Sequence, residues 1–280
     1  MSRLHLHLVS DSTGETLESV AKACLAQFEG VQAVRHFWPM IRSERQIDRV
    51  MEEIGQRPGL VLFTLVNPVA RDRLQSRCLQ LGLPAISVLD PVLQALSQAL
   101  GQPARGMPGR QHLMDAAYFN RIEAMHFTMA HDDGQSAETL NEADIVLLGV
   151  SRTSKTPTSI YLANRGYKTA NVPVVPGIPL PPQVFQLTRP LVVGLTTSTE
   201  RLVQIRRNRL LTFNQPIDSD YVREDEVASE ITHARRLFTQ HGWPVIDVTR
   251  RSIEETAAAI LNYLVQRQEA QNGNGNGNGS

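Results

Sequence analysis

Apolar runs that alternate with segments of helical periodicity constrain the fold of this chain more than any other feature. The runs are residues 4–9, 59–66, 84–90, 143–150, 169–175, 190–197 and 244–249. Most are followed by a segment whose apolar residues recur three or four positions apart, as on one face of a helix. Strands that alternate with helices usually pair in parallel, because each helix carries the chain back across the sheet. The pattern predicts an α/β protein with mainly parallel sheets flanked by helices.

Residues 101–110, GQPARGMPGR, interrupt the alternation with glycine, proline and arginine and show no apolar period. Such a composition is typical of a connection between domains. We therefore predict an N-terminal α/β domain over residues 1–105 and a C-terminal α/β domain over residues 106–270. Residues 271–280 are of low complexity and offer no apolar surface to bury, which predicts a disordered tail.

The two halves resemble each other around one turn. A shift of 140 residues places Thr13–Thr16 (TGET) on Thr153–Thr156 (TSKT), and the same shift aligns Ser19 with Ser159. Each segment lies between an apolar strand and a helix. The match fits a duplicated fold, and it equally fits the small residues that any strand–helix turn requires.

The segment most specific for chemistry begins at the end of the 143–150 run. It fits the pattern G-x-x-x-x-[G/S]-K-[S/T] of a phosphate-binding loop (P-loop), with serine where the second glycine usually stands. Its residues are Gly149, Val150, Ser151, Arg152, Thr153, Ser154, Lys155 and Thr156. In such a loop backbone N–H groups and the helix dipole attract an anion, Lys155 neutralises phosphate oxygens and the Thr156 hydroxyl reaches Mg²⁺. The alternative is an ordinary strand–helix turn with a surface lysine.

The corresponding N-terminal turn, Ser10–Thr16, has Glu15 in place of the lysine. A carboxylate at that position repels phosphate, so we interpret this turn as a degenerate copy of the loop. Ser12 and Glu15 also have the spacing of a capping box, in which two side chains satisfy helix N–H groups without any ligand. The sequence leaves open whether this turn holds a nucleotide.

Two adjacent carboxylates, Asp132 and Asp133, stand in the segment His131–Gly134 upstream of the loop. They offer a general base or a metal ligand. A solvated turn stabilised by aspartate side chains is the commoner use of such residues. Taken alone, the segment favours the turn.

Further candidates lie near the carboxyl ends of later runs. Asp247 ends the 244–249 run, where it is either the second acidic residue of a nucleotide site or a turn residue beside a Ser252/Glu255 capping box. Three arginines either close over phosphates or form a solvated helix face: Arg206, Arg207 and Arg209.

Composition excludes several classes of protein. Lys plus Arg (28) and Asp plus Glu (28) cancel, which argues against a strongly basic nucleic-acid or membrane-surface binder. Two separated cysteines, Cys24 and Cys78, suit a reducing cytosol better than a disulfide framework or a zinc site. No apolar stretch reaches the roughly 18–20 residues of a membrane helix. We expect a soluble cytoplasmic protein.

Four segments together resemble the pyruvate, phosphate dikinase regulatory protein family, which is related to the phosphoenolpyruvate synthase regulatory proteins. They are SDSTGETLESVAKA (10–23), HDDGQ (131–135), ADIVLLGVSRTSKTPTSIYLANRGYKTANVPVVPGIPLP (143–181) and VIDVTRRSIEETAAAI (245–260). The resemblance extends over nearly the whole chain, from Leu6 to Leu264. The TSKT loop followed by NVPVVPGIPLP is more similar to the dikinase branch than to the synthase branch.

The resemblance implies a bifunctional cytoplasmic enzyme, with two domains of shared fold, that forms homodimers. Members of the family use ADP to phosphorylate an active-site threonine of the dikinase, which inactivates it and releases AMP. They also remove that phosphate with inorganic phosphate as the acceptor, which releases pyrophosphate. The implied partners are the dikinase and a second copy of the chain; composition argues against nucleic acid and membrane as partners, and the phosphate-loop motif itself predicts Mg²⁺.

The family's site residues transfer onto matching positions of this chain. The nucleotide and phosphate loop falls on Gly149–Thr156, with Lys155 as its catalytic lysine and Thr156 as the residue at the metal. The catalytic aspartate, in a K-x-D-D-G motif, falls on Asp133, which reverses the interpretation of that segment as a plain turn. The lysine of the motif is absent, because Ala130 stands there. His131 and Arg152 are the candidates to supply its charge.

Three alternatives remain at this point. The same chemistry on phosphoenolpyruvate synthase needs no change in the site, and a small-molecule P-loop kinase uses the same loop. The missing lysine at Ala130 also allows an adaptor that senses nucleotide without catalysis.

Overall fold

The computed structural model describes residues 4–109, 116–212 and 220–275, with side chains described as far as residue 270. The chain divides into two compact units, Met1–Leu113 and Met114–Ser280. This division lies slightly beyond the predicted boundary at residues 105 and 106. The predicted linker belongs in large part to the N-terminal unit, because Gly106 packs so closely that a Cβ on it would lie 3.3 Å from the Val66 carbonyl oxygen.

Strands and helices alternate throughout the described part of the N-terminal unit. In chain order they are β1 (Leu4–Ser10), α1 (Glu15–Leu25), β2 (Ala33–Trp38), α2 (Glu44–Gln56), β3 (Leu60–Thr64), α3 (Pro68–Gln80), β4 (Ala85–Ser87) and α4 (Asp90–Leu100). The four strands form one parallel sheet in the order β2-β1-β3-β4.

The C-terminal unit keeps four strands but is preceded by a helix, has only a 3₁₀ turn between its second and third strands and has two helices between its third and fourth. Its elements are α5 (Ala116–Ala130), β5 (Ile145–Gly149), α6 (Lys155–Ala163), β6 (Thr169–Pro173), β7 (Leu191–Thr196), α7 (Thr199–Thr212), α8 (Glu224–Gln240), β8 (Val245–Asp247) and α9 (Ile253–Gly275). Short 3₁₀ turns at Asp132–Gly134 and Asp220–Val222 complete the parts used below. The strand order is β6-β5-β7-β8, again all parallel.

Both sheets therefore have the same strand order, which confirms the predicted fold class of two similar α/β domains. The 140-residue shift also holds at the level of elements, because it superimposes the first residue of α1 on the first residue of α6. In each sheet the first strand pairs with the second on one side and with the third on the other. Such a point, where the chain changes direction across a parallel sheet, is where ligands bind in α/β folds.

Strand β5, in the middle of the C-terminal sheet, contributes to two cores, one on each face of the sheet. Along β5, Val146 and Leu148 pack into the core with α8, whereas Ile145 and Leu147 pack into the core with α9. All four side chains are fully buried. A strand covered on both faces needs apolar residues at every position, which is why the 143–150 run is continuous rather than alternating.

The structure adds elements that apolar runs alone do not reveal. Strand β2 is an edge strand whose side chains are half-buried or exposed, so it lacks a continuous apolar run. The predicted tail begins at residue 271, whereas α9 extends to Gly275; adding residues to an existing helix is far easier than nucleating one. Residues 276–280 lie outside the described residues. Among the described helices, none has the length and hydropathy to span a bilayer.

Three histidines stack across β1 and β2 in the N-terminal sheet. The His7 and His36 rings lie 4.6 Å apart between centroids, and His5 Nδ1 lies 2.8 Å from His36 Nε2. His7 is fully buried, its Nε2 donates to the Arg57 carbonyl oxygen at 2.8 Å, and its Nδ1 accepts from Trp38 Nε1 at 3.4 Å. The neutral ring therefore uses both nitrogens, and protonation of Nδ1 would displace the tryptophan.

We predict that this histidine makes the fold sensitive to acid. Burial, reinforced by the nearby His36, His5 and Arg57, lowers the pKa of His7 below its usual 6.5, although the bond to the Arg57 carbonyl opposes the shift. Below pH about 6.5 the unfolded chain therefore binds a proton at His7 that the folded chain does not bind. The free energy of unfolding falls as the pH decreases through this range. Thermal unfolding of His7→Gln from pH 7.5 to 5 should show a shallower loss than the wild type. The exposed His126→Gln is the control, and an identical slope for His7→Gln would contradict the prediction.

Candidate functional site

The phosphate-type loop connects β5 to α6, and its first glycine cannot be replaced. A Cβ on Gly149 would lie 2.5 Å from Thr153 Oγ1 and 2.7 Å from the Leu195 carbonyl oxygen. Both distances are shorter than any normal contact. Gly149 therefore lets the loop turn tightly between its own threonine and the neighbouring strand β7.

Two non-glycine residues of the loop adopt left-handed backbone conformations. Arg152 has φ +75° and Ser154 has φ +61°. For a residue with a Cβ this conformation costs about 1–2 kcal/mol. Alternation of left- and right-handed residues turns successive N–H groups toward one side and creates a concavity for an anion. Ser154 thus takes the conformation for which glycine is usual, and its side chain makes no cap to α6.

Side chains within the loop hold one of its carbonyl groups. Thr153 Oγ1 donates to the Val150 oxygen at 2.9 Å, and Lys155 Nζ donates to the same oxygen at 3.0 Å. Lys155 is only 5% exposed, and burial lowers its pKa from 10.5 to about 8. The charge of Asp133 opposes this shift, and the charge of Arg152 adds to it. A buried lysine with a lowered pKa gains from any anion that enters beside it.

The two adjacent aspartates form a 3₁₀ turn that is fixed to β6 by one asparagine. Asn171 is fully buried; its Nδ2 donates to Asp132 Oδ1 at 2.5 Å, and its Oδ1 accepts from the Asp133 N–H at 3.2 Å. The Thr156 hydroxyl donates to the same Asp132 oxygen at 3.0 Å. Asn171 pairs with Leu147 of β5, so the turn lies directly beside the loop. No sequence motif indicates this role of Asn171, because an asparagine inside a strand fits no catalytic pattern.

A cavity of about 260 Å³ lies between the turn and the loop. Its lining includes six of the predicted site residues: Asp133, Ser151, Arg152, Ser154, Lys155 and Thr156. Pro157, Pro173 and Ile205 complete the wall. The other three predicted loop residues, Gly149, Val150 and Thr153, do not line the cavity. They shape the phosphate loop behind it, where the Val150 carbonyl oxygen accepts from Thr153 and Lys155. Among the described residues, no side chain forms a hydrogen bond with the Asp133 carboxylate, which leaves it available to a ligand.

Asp132 and Thr156 form the arrangement that holds Mg²⁺ in P-loop enzymes, a loop hydroxyl next to an aspartate. Mg²⁺ prefers oxygen ligands and keeps waters and phosphate oxygens besides one or two carboxylates, so this donor set fits it. In the described part of the chain, no group of three His, Cys, Asp or Glu residues has the geometry of a metal site. A metal here would depend on the bound phosphate for further ligands.

Asp247 lies away from this arrangement. It belongs to β8, which is separated from β5 by β7. Its Oδ1 accepts from the Thr249 N–H at 2.8 Å, and its other oxygen lies 3.5 Å from Arg235. Of the two interpretations of the sequence, the strand-end turn is confirmed, as is the capping box beside it, in which Ser252 and Glu255 exchange backbone-to-side-chain bonds.

Of the two groups considered for the missing lysine, the structure places one at the cavity. His131 is buried, stacks on Phe127 with centroids 3.7 Å apart and bonds to the Phe127 carbonyl oxygen and to the Thr139 hydroxyl, each at 2.7 Å. Both its ring nitrogens are occupied in holding the end of α5. Arg152 lines the cavity together with Asp133. Of the two candidates, Arg152 is therefore the one that lies at the cavity.

The three arginines of α7 separate in the structure. Arg207 and Arg209 are exposed, in agreement with the solvated helix face, whereas Arg206 is 1% exposed and bonds to the loop. The expectation of a solvated face is wrong for Arg206, because the 3.6-residue period turns it inward beside Leu202 and Val203.

The N-terminal turn has the backbone of the loop without its charge. Gly14 caps α1 with φ +84°, as Ser154 caps α6, but Glu15 is exposed where Lys155 is buried. The predicted capping box is wrong, because α1 starts only at Glu15 and Ser12 lies two residues before the cap. A larger cavity of about 630 Å³ also lies in this unit, between α3 and α4. Its lining has no counterpart of the aspartate pair, so chemistry rather than size distinguishes the C-terminal site.

We predict that Ser154→Gly stabilises the protein. Glycine adopts φ near +60° without the Cβ penalty, so thermal unfolding should show a gain of about 1 kcal/mol. The matched control in the same loop is Ser151→Gly, where φ is not positive, so that glycine relieves no strain, removes the bond from the Ser151 side chain to Tyr221 and adds flexibility to the unfolded chain. A loss of stability in Ser154→Gly as large as in the control would refute the strain at this position.

Comparison with known proteins identifies the family of this chain. The family described as Kinase/pyrophosphorylase matches residues 6–261. A protein of Rhizorhabdus wittichii, provisionally named as a pyruvate, phosphate dikinase regulatory protein, is 66% identical over 267 residues, which cover 95% of this chain and 97% of that protein. A protein of the same name from Novosphingobium aromaticivorans is 62% identical over 270 residues, 96% of each chain.

Likeness to solved structures is slight. An ABC transporter periplasmic solute-binding protein from Actinobacillus succinogenes aligns over 94% of this chain and 92% of its own, at 12% identity and a TM-score of 0.25, which carries no argument. The family match covers most of the chain and includes both the aspartate turn and the loop. The chain belongs to the kinase/pyrophosphorylase family.

Proposed function

We propose that this protein is a bifunctional cytoplasmic enzyme that regulates pyruvate, phosphate dikinase. In one direction it transfers the β-phosphoryl group of ADP to an active-site threonine of the dikinase. In the other it transfers that phosphoryl group from phosphothreonine to inorganic phosphate, which yields pyrophosphate. The names of the two relatives support the target. One observation carries the chemistry: the Asp133 carboxylate, which no side chain among the described residues hydrogen-bonds, shares a cavity with Lys155 of the phosphate loop.

In the forward direction, the loop N–H groups and Lys155 hold the terminal phosphate of ADP. The threonine oxygen bonds to the β-phosphorus while the bond from that phosphorus to the bridging oxygen breaks, and AMP leaves. Asp133 accepts the threonine proton as general base. Arg152 and Lys155 offset the negative charge around the transferred group, which is the main contribution a protein makes to phosphoryl transfer.

The reverse direction uses the same groups. The loop holds inorganic phosphate, one of whose oxygens bonds to the phosphothreonine phosphorus. The bond between that phosphorus and the threonine oxygen breaks, Asp133 returns the proton to the threonine, and pyrophosphate leaves. One site serves both directions because the two reactions need the same positions for phosphate, base and hydroxyl.

Mg²⁺ is part of this proposal through Asp132 and Thr156. When bound, it supplies charge that stabilises the phosphate oxygens. Asn171 holds the Asp132 carboxylate beside the Thr156 hydroxyl, so the two oxygen ligands stay next to each other. The homodimer expected from the family is likewise part of the proposal.

The direct test is incubation of the purified protein with the phosphohistidine form of the dikinase and ADP labelled in its β-phosphate. The proposal expects labelled phosphothreonine on the dikinase, and labelled pyrophosphate after phosphate is added. Label on a small metabolite would point to a small-molecule kinase, and ADP binding without transfer would point to an adaptor. The same assay with phosphoenolpyruvate synthase distinguishes the two protein targets.

We predict that Lys155→Ala lowers both activities by at least about 100-fold, because one charged donor at the transferred group is lost. Lys168→Ala, a surface lysine paired with Glu123, is the control and should keep both activities. If either direction persisted in Lys155→Ala near the wild-type rate, the two reactions would need separate sites.

Asp133→Asn should keep ADP binding, measured by calorimetry, while turnover falls by about 10²–10⁴-fold, the usual contribution of a general base. Asp225→Asn, an exposed aspartate of α8, serves as its control. Equal losses of binding and turnover in Asp133→Asn would assign Asp133 to metal binding or structure instead.

The lowered pKa of Lys155 predicts a pH dependence of ADP affinity. Above pH about 8 the free protein holds this lysine neutral, so binding must take up a proton, and affinity should fall by up to about tenfold per pH unit. The ADP phosphate is fully ionised there, since its second pKa is about 6. Calorimetry at pH 7, 8 and 9 measures the slope. Lys155→Arg stays charged and should remove the inflection; an equal slope in both proteins would exclude Lys155 as its source.

A further inference from the structure

Arg206 is the largest fully buried side chain in the described part of the protein. Its Nη1 donates to Glu230 Oε1 and to the Tyr221 carbonyl oxygen, each at 3.0 Å. Its Nη2 donates to Glu230 Oε2 at 2.6 Å and to the Ser151 carbonyl oxygen at 3.3 Å. The guanidinium also lies over the Tyr221 ring, 4.4 Å from its centroid. One side chain of α7 thus connects α8, the turn at Asp220–Val222 and the phosphate loop.

This arrangement is not an economical way to stabilise a core. Arg206 Nε is buried without a hydrogen-bond partner among the described residues. A buried ion pair seldom stabilises more than apolar side chains of the same size, and an unpartnered donor makes it worse. One of the hydrogen bonds of Arg206 ends on the phosphate loop, which indicates a role in holding the loop.

The hydrogen bond from Arg206 to the Ser151 carbonyl oxygen determines the orientation of the peptide group between Ser151 and Arg152. In a planar trans peptide the C=O and the following N–H point in opposite directions. With its oxygen held by Arg206, the Ser151 peptide directs the Arg152 N–H away from α7. Ser151 and Arg152 both line the phosphate cavity, so this N–H is available to an anion there.

Tyr221 holds the side chain of Arg152. Arg152 Nε donates to the Tyr221 hydroxyl at 3.4 Å, at the long end of hydrogen bonding. Burial raises the pKa of Tyr221, but bonds with Ser151 and Arg152 and the charge of Arg206 outweigh it and lower the pKa overall. The hydroxyl oxygen is therefore a good acceptor for the guanidinium. The Tyr221 ring rests in turn on Arg206, so both contacts depend on one buried group.

We propose that Arg206 and Tyr221 are positioning residues of the phosphate site: Arg206 orients the Ser151–Arg152 peptide, and Tyr221 aims the Arg152 guanidinium at the bound phosphate. Neither touches the phosphate itself. Glu230 fixes Arg206 from α8, so the orientation of the loop is set from outside the loop. This inference rests on the proposed function, since it assigns a purpose to Arg152 at that site.

The test is Tyr221→Phe, which removes one oxygen and keeps the ring on Arg206. We expect KM and Kd for ADP to rise roughly fivefold, as for loss of one ordinary hydrogen bond, with an unchanged melting temperature. Tyr161→Phe is the matched control, because Arg165 lies over the Tyr161 ring at 4.0 Å outside the site. A purely structural defect would lower the amount of active enzyme and leave KM for ADP as in the wild type.

Arg206→Lys provides the second variant, since lysine keeps the charge but lacks the planar fork that reaches Glu230 and Ser151 together. Its KM for ADP should rise at least as much as that of Tyr221→Phe. Wild-type KM in both variants would overturn the inference. Failure of the proposed function is distinguishable, because the wild-type protein itself would then transfer no phosphate to the dikinase.

Discussion

The position at which β5 ends determines the rest of the site. Parallel pairing with β6 on one side and β7 on the other buries both faces of the strand and leaves its carboxyl end at the change of direction in the sheet. Gly149 ends the strand with no space for a Cβ, so the chain must turn there and α6 begins at Lys155. Asn171 lies on the paired strand β6 and brings the aspartate turn to the same edge. The hydrogen-bonded register therefore brings an acidic turn and a basic loop together.

Strain is concentrated around this edge. Among the described residues, five without glycine's freedom adopt a positive φ: Met40, Asp133, Ser136, Arg152 and Ser154. Asp133, Arg152 and Ser154 line the cavity, and Ser136 follows the aspartate turn. Left-handed residues that keep their side chains cost stability, so they persist where the surrounding structure holds them and where the conformation has a use. Here the left-handed conformations share one use, because the residues Asp133, Arg152 and Ser154 that adopt them all line the same cavity.

Much of the fold could be predicted from the sequence, because continuous apolar runs report strands buried on both faces. The loop Gly149–Thr156 was also predictable, because its motif is local and lies between a strand and a helix. The contacts that complete the site are not local. Asn171 reaches the aspartate turn across 38 residues, and Tyr221 reaches Arg152 across 69. Such pairs are created by packing. The helical period places Arg206 on the buried face with Leu202 and Val203, but it does not show that the guanidinium binds the loop.

The two units show how far a shared backbone determines chemistry. Both sheets have the same strand order, and in both a left-handed residue caps the helix after the first strand. In the N-terminal unit that residue is Gly14, which adopts the conformation without strain, and Glu15 points to solvent. In the C-terminal unit Ser154 is strained and Lys155 is buried at the cavity. Both turns have a carboxylate at their cavity, Asp11 in the N-terminal unit and Asp133 in the C-terminal unit, but only the C-terminal turn places a buried lysine at the first position of the following helix. The difference between the two turns therefore lies in a few side chains rather than in the backbone.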